Sequence, residues 1–170
     1  KAFTALYAMD VLGAGYDFKT RIFADGPVND GILDGNLILA GGGDPNLATD
    51  DLAALAQSLK DTGLTEVKGA FLVWDDALRN VAEIDDTQLD HFGYNPTITG
   101  LNLNYNRVHF EWKRDKDDFT IAMDARSTNY RPVVTTARMQ IVDRSAPVFT
   151  YADAGNVDQW TVAASSLNDE

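Results

Sequence analysis

The stretch ILDGNLILAGGGDPNLATDDLAALAQSLKDTG, residues 32–63, decides the fold, because three kinds of local signal follow one another within it. Residues 32–40 form an apolar run of strand length, although Asp34-Gly35 inside it leaves a tight turn or a bulge open. Gly41-Gly42-Gly43-Asp44-Pro45 then breaks the strand with a backbone turn, in which the glycines reverse the chain at positive φ and the Asp44 side chain bonds nearby amides. Thr49 is expected to cap the helix that follows, with Asp50 and Asp51 favourably placed in its first turn. Leu52, Leu55, Ala56 and Leu59 recur at helical spacing as its buried stripe, and Lys60 and Gly63 end it. A strand, a glycine turn and an amphipathic helix in this order predict a mixed α and β fold.

Upstream, Ala2, Phe3, Ala5, Leu6, Ala8, Met9 and Leu12 predict a helix already under way at Lys1 and ending near Gly13 or Gly15. No Ser, Thr, Asp or Asn precedes that helix to cap it, so the chain is read as a piece of a longer one. Residues 18–24 read as a strand, paired hairpin-fashion with 32–40 across turn residues at 25–27 and 29–31. Downstream, 66–74 is strand-like. Residues 75–96 are polar and irregular, a length that a compact domain tolerates mainly where the loop has a task. From Asn104 onward the pattern is all β: Val108, Phe110 and Trp112 alternate with polar neighbours, and further strands are expected at 119–124, 137–142, 148–151 and 160–164.

The 170 residues are 45% hydrophobic and 24% charged, as in an ordinary folded protein, and long enough to bury a core without staples. With 14 Lys and Arg against 26 Asp and Glu, the net charge of −12 disfavours nucleic acid and anionic membrane surfaces as partners. No apolar run reaches the length of a membrane span. The absence of cysteine excludes thiol catalysis and thiolate metal sites.

The isolated motifs each have a bland explanation. Asp61-Thr62-Gly63 matches the aspartic-protease triplet but falls where a helix ends. His91 and His109 are not at metal-ligand spacing, and the acidic groups Asp75-Asp76, Asp85-Asp86 and Asp115, Asp117, Asp118 lack the alternation and central glycine of a calcium loop. Gly41-Gly42-Gly43 is not followed by a phosphate-binding pattern. No metal site and no cofactor is expected.

Taken in order, the segments Lys1-Ala2-Phe3-Thr4-Ala5-Leu6, Gly41 to Leu47, Asp51-Leu52-Ala53-Ala54-Leu55, Val67 to Val73 with Asp75-Asp76, and Tyr94-Asn95-Pro96 leading to Leu101-Asn102-Leu103-Asn104 resemble one family. It is the DacB-type, S13-like family of penicillin-binding D-alanyl-D-alanine carboxypeptidases and endopeptidases, and the resemblance runs from Lys1 to about Thr161. It implies an α+β fold. Residues 1–40 would belong to the β-lactamase/transpeptidase-like domain, beginning at the end of its Ser-x-x-Lys helix. Residues 41–170 would belong to inserted domains, mixed α/β to about 104 and β-rich thereafter.

The resemblance makes Lys1 the catalytic lysine of that motif, with the nucleophilic serine three residues ahead of it, one helical turn back on the same face. Ser166-Leu167-Asn168 and Lys19-Thr20-Arg21 look like the family's later motifs but come too early, and the second lacks its glycine. The implied partners are peptidoglycan peptides, with β-lactams as inhibitors, in the periplasm. Asp90 and Tyr94, in the loop before Pro96, are the implied substrate-binding residues. Both carboxypeptidase and endopeptidase cleavage stay open, as does the oligomeric state. A reading of a different class makes the segment a non-catalytic β-rich insert that positions cell-wall substrate or a partner protein.

Overall fold

The structure is a computed structural model that describes residues 1–89, 92–116 and 118–167. The chain has an α+β fold of two helices and several small sheets. Helix α1 (Ala2–Leu12) ends where Gly13 turns to φ 87°, as its sequence requires. Every residue of α1 except the half-buried Ala8 is exposed, and Phe3 is 88% exposed.

Strand β1 (Arg21–Ala24) pairs antiparallel with β4 (Leu37–Ala40), in the register Arg21↔Ala40 to Ala24↔Leu37. The expected strand over 32–40 is two strands, because Asp34 to Asn36 leave the ladder. β3 (Ile32–Leu33) pairs antiparallel with β2 (Val28–Asn29) and parallel with β5 (Glu66–Val67), whereas β4 pairs parallel with β6 (Phe71–Trp74). The break is held by Asn36. Its backbone N–H and Nδ2 donate to Asp25 at 2.5 and 2.7 Å, and its Oδ1 accepts from the Ala70 N–H at 2.8 Å. These bonds to Asn36 hold the Asp25 carboxyl below the usual carboxylate range. The β4–β6 pairing also puts residues on both sides of position 40 into one sheet.

The glycine turn works by close approach more than by handedness. A Cβ on Gly41 would lie 2.3 Å from the Gly100 carbonyl oxygen, and one on Gly42 would lie 2.2 Å from that of Lys19. Only Gly43 of the three takes positive φ, which corrects the expectation that all three reverse the chain in that way. Asp44 accepts from the Asn46 N–H at 2.9 Å, closing the turn.

Helix α2 (Thr49–Asp61) begins one residue away from expectation: Ala48 is the N-cap and Thr49 the first helical residue. The Thr49 N–H needs no cap of its own because Asn104 Oδ1 accepts it at 3.1 Å. The half-buried stripe is Leu52, Ala53, Leu55 and Leu59. Ala56 is exposed, and Ala53 takes the place expected for it in the stripe. The Asp61-Thr62-Gly63 triplet is a helix end, with Asp61 as the last helical residue and Gly63 at φ 87°.

The second half is β-rich, with short 3-10 turns at Asn104–Asn106 and Ala164–Ser166. β7 (His109–Asp115) and β8 (Asp118–Asp124) form an antiparallel pair, and β9 (Ala137–Val142) and β10 (Phe149–Asp153) flank β11 (Asp158–Ala163), parallel and antiparallel to it respectively. Burial concentrates at Leu33, Leu37, Leu39, Ala40 and Leu47 in the first half and at Ala137, Val162, Ala163 and Leu167 in the second. No helix among the described residues is long and apolar enough to cross a membrane.

Candidate functional site

Lys1 stands at the N-cap position of α1, exposed, and its carbonyl accepts the first helical bond from the Ala5 N–H at 3.0 Å. Tyr94 lies far along the chain in the long loop, and Asp90 lies outside the described residues, as do His91, Asp117 and Asn168. No hydrogen bond or ion pair described for the chain joins Lys1 to Tyr94. The structure thus places the lysine and the loop tyrosine on separate elements.

The loop itself is tightly organised without helix or ladder. Its ends are tied where the Gly100 N–H donates to the Asp75 carbonyl at 2.7 Å and where Val81 and Ile98 exchange two bonds of 2.9 Å. Its centre is Asn95, only 1% exposed. The Asn95 Oδ1 accepts from the Ile84 and Asp85 N–H groups at 2.8 and 2.9 Å, and its Nδ2 donates to the Asp85 carbonyl at 3.0 Å. One buried amide therefore replaces the backbone partners that residues 84–85 would have in a strand. Asp85 also accepts from the Thr87 hydroxyl and N–H, which hold its carboxyl below the usual range.

On this base the Tyr94 side chain stands out, 63% exposed. Its ring is tilted against Phe92 with centroids 5.2 Å apart, and its hydroxyl donates to Gln88 Oε1 at 3.3 Å. From the other side Arg107 donates to the Gly93 carbonyl through Nε at 3.1 Å and Nη2 at 2.5 Å. The loop is thus a platform for one exposed aromatic ring.

A second polar cluster fastens α2 to the β-rich half. Thr49 Oγ1 donates to the Ala125 carbonyl at 2.5 Å and accepts from Asn104 Nδ2 at 2.9 Å. Asp50 accepts from the Ser127 hydroxyl and from Asn129 Nδ2 at 2.8 Å, and the Ser127 bond leads in lowering its pKa. Beside them Arg126 bridges Asp124, 5% exposed, at 2.7 Å and Glu111 at 3.0 Å. Hydrogen bonds from Arg126 lower both carboxyls and, reciprocally, those carboxylates push the guanidinium pKa further up. The carboxylates of this cluster are engaged within the chain, which makes it a fastening, and Asn104, Arg126 and Ser127 also line an adjoining cavity of about 600 Å³. Among the described residues, no three His, Asp or Glu side chains converge to hold a cation.

The sequence reading missed Asn95, Asn104, Arg107 and Arg126. Only Asn95 carried a signal, its position before Pro96 at the close of a long loop.

The sequence profile of the D-Ala-D-Ala carboxypeptidase 3 (S13) family matches residues 1–159. The chain belongs to this family. Among S13 relatives, the D-alanyl-D-alanine carboxypeptidase DacB of Haemophilus influenzae is 38% identical over 69 residues, 41% of this chain and 14% of that protein. The D-alanyl-D-alanine carboxypeptidase of Actinomadura sp. is 32% identical over 106 residues, 61% of this chain and 20% of that protein. The crystal structure of penicillin binding protein 4 (dacB) from Haemophilus influenzae superimposes with a TM-score of 0.66 at 21% identity, covering 95% of this chain and 37% of that one. A structure of that protein complexed with a novel β-lactam superimposes with a TM-score of 0.59. The fold is therefore that of penicillin binding protein 4 over these residues, and the chain spans well under half the length of these relatives.

Proposed function

We propose that this S13 chain forms part of a periplasmic serine-type D-Ala-D-Ala carboxypeptidase/endopeptidase, in which Lys1 is the lysine of the Ser-x-x-Lys motif. The observation that carries the reading is the family match, which covers α1 and extends to residue 159. A residue three positions before Lys1 in a continued helix would share its face, so the amine reaches a serine hydroxyl there.

The lysine side chain takes the hydroxyl proton as the oxygen attacks the carbonyl of the terminal D-Ala-D-Ala bond of a peptidoglycan peptide. The proton passes to the departing D-alanine nitrogen, an acyl-enzyme remains, and water hydrolyses it. The same attack opens a β-lactam ring and leaves the enzyme acylated. Lysine serves as the base only when desolvation or a neighbouring cation lowers its pKa. The loop bearing Asp90 and Tyr94 borders the peptide, with the carboxylate available to an ammonium and the ring to the aliphatic stem of a diaminopimelate side chain.

Intact-mass measurement after incubation with penicillin tests the core of this reading. The 170-residue chain remains unmodified, and the protein extended upstream and downstream gains one penicillin mass. An adduct on the 170-residue chain itself would make an internal hydroxyl the nucleophile and remove Lys1 from its role. Replacing Asp90 and Tyr94 together by alanine lowers turnover of a diaminopimelate-containing peptide far more than it lowers acylation by penicillin, and equal effects would place the loop away from the peptide.

A second reading, a non-catalytic insert that positions cell-wall substrate or a partner protein, is favoured by one observation. Side-chain hydrogen bonds join α2, the loop and the β-rich half, and none described involves α1.

A further inference from the structure

We infer that Arg107 is a positioning residue that sets the height and angle of the Tyr94 ring, and so the fit of the peptide's aliphatic side chain. This rests on the reading, given above, that the loop borders the substrate. Asn104, Tyr105 and Asn106 lie in succession at φ 51°, 58° and 55°, a left-handed turn that side-chain-bearing residues rarely form. The turn sends successive side chains to different parts of the molecule. Asn104 reaches Thr49 and Ala125, Tyr105 reaches Asn46 Oδ1 at 3.3 Å, and Asn106 reaches the Thr97 carbonyl at 3.3 Å. Arg107 leaves the turn with its guanidinium laid against Gly93, one residue before Tyr94.

The geometry explains why this contact positions rather than merely stabilises. Two donors of one rigid fork on one carbonyl fix its direction as well as its distance. Both partners are exposed, so the bond adds little to global stability in water. The approach is close: a Cβ on Gly93 would sit 3.3 to 3.5 Å from three guanidinium atoms, in contact with the fork. The carbonyl held in this way belongs to Gly93, the residue between Phe92 and Tyr94 in sequence, whose ring centroids are 5.2 Å apart. Because Arg107 is anchored through Asn104 to α2 and the β-rich half, the ring is indexed to the body of the protein and not to the loop alone.

The test uses the full-length protein and a diaminopimelate-containing peptide ending in D-Ala-D-Ala. Arg107→Ala raises KM about tenfold with kcat changed by less than about twofold. Exchange of the Asn95 amide, which donates to Phe92, quickens about tenfold while Tm stays nearly constant. Arg107→Lys, with a single ammonium nitrogen in place of the planar fork, recovers part of the KM. Unchanged exchange in Arg107→Ala would overturn the clamp. Faster exchange with unchanged KM, while Tyr94→Ala raises KM, would overturn positioning and leave the loop reading standing. If neither Tyr94→Ala nor Arg107→Ala alters KM, the loop does not border the peptide and the inference falls with that reading.

Discussion

Helices α1 and α2 are similar in length, 11 and 13 residues, and opposite in how they are fastened. α1 has no acidic residue in its first turn, no basic residue in its last and no buried side chain. α2 has Asp50 and Asp51 in its first turn, and both carboxylates are occupied, Asp51 by the Ala48 N–H at 2.8 Å and Asp50 by Ser127 and Asn129. Its apolar stripe is only half-buried, so α2 is held chiefly by polar bonds at its N-terminus, where the positive end of the dipole favours carboxylates. Substitution at the start of α2 should therefore cost stability and spare chemistry, and substitution of Lys1 should disturb the chemistry proposed for it.

Lys1→Ala gives the largest effect and the sharpest form of this contrast. In the extended protein it lowers the penicillin acylation rate by about 10²-fold or more, the typical contribution of a general base. The helix itself tolerates the change, because alanine is the best helix former, so Tm changes little. Stopped-flow acylation and thermal melting check the two halves separately, and wild-type acylation kinetics would remove the assigned role.

Asn104→Ala is the counterpart at α2. It unpairs the Thr49 N–H, removes one of the two bonds of the Thr49 hydroxyl and puts alanine at φ 51°, for a loss of about 2–3 kcal/mol. Asn104→Gly removes the same bonds while relieving the backbone, so it should melt above Asn104→Ala. Equal melting temperatures would show that strain plays no part.

The contrast also marks what a linear sequence can disclose. The β9 boundaries at 137–142, the turn after Ala40 and both helix ends are legible because period and glycine placement act within a few neighbours. The one-residue shift at Thr49 and the roles of Asn95, Asn104, Arg107 and Arg126 are not. Asn104 meets Thr49 across 55 residues and Ser127 meets Asp50 across 77, with no periodicity to announce them. The split of 32–40 was visible as an ambiguity at Asp34-Gly35, and Asn36 decides it. The candidate site was legible only through family resemblance, because an exposed lysine and an exposed tyrosine carry no local signature.

Acid should weaken the α2 fastening in a defined window. The carboxyls of Asp50, Asp124 and Glu111 lie below their ordinary values in the folded chain, so the unfolded chain binds protons first as pH falls. Their stabilisation is fully present above the unfolded values near about pH 4, and it declines as pH drops through the lower folded ones. Arg126→Ala leaves the buried Asp124 carboxylate unpaired, which is costly at pH 7 and less so once the group is protonated. Thermal melting should show a gap between wild type and Arg126→Ala that narrows from pH 7 to pH 3. A constant gap would mean that the guanidinium contributes packing and not charge.

Asp44→Ala has the smallest expected effect and tests whether the glycine turn belongs with the fastened part of the molecule or with the chemistry. Asp44 makes one local bond, to the Asn46 N–H two residues on, at the corner that delivers Leu47 to its buried place before α2. The turn persists without that bond, because its shape comes from Gly41 and Gly42 lying against the Gly100 and Lys19 carbonyls and from Gly43 at positive φ. The loss is therefore about 1 kcal/mol or less, the ordinary net worth of one hydrogen bond in contact with water. Melting temperature should fall slightly while KM for the peptide stays constant, since the Asp44 carboxylate is engaged in its own turn. A change in KM without a change in melting temperature would place Asp44 at the substrate and move the turn from the fastened part of the molecule to the site.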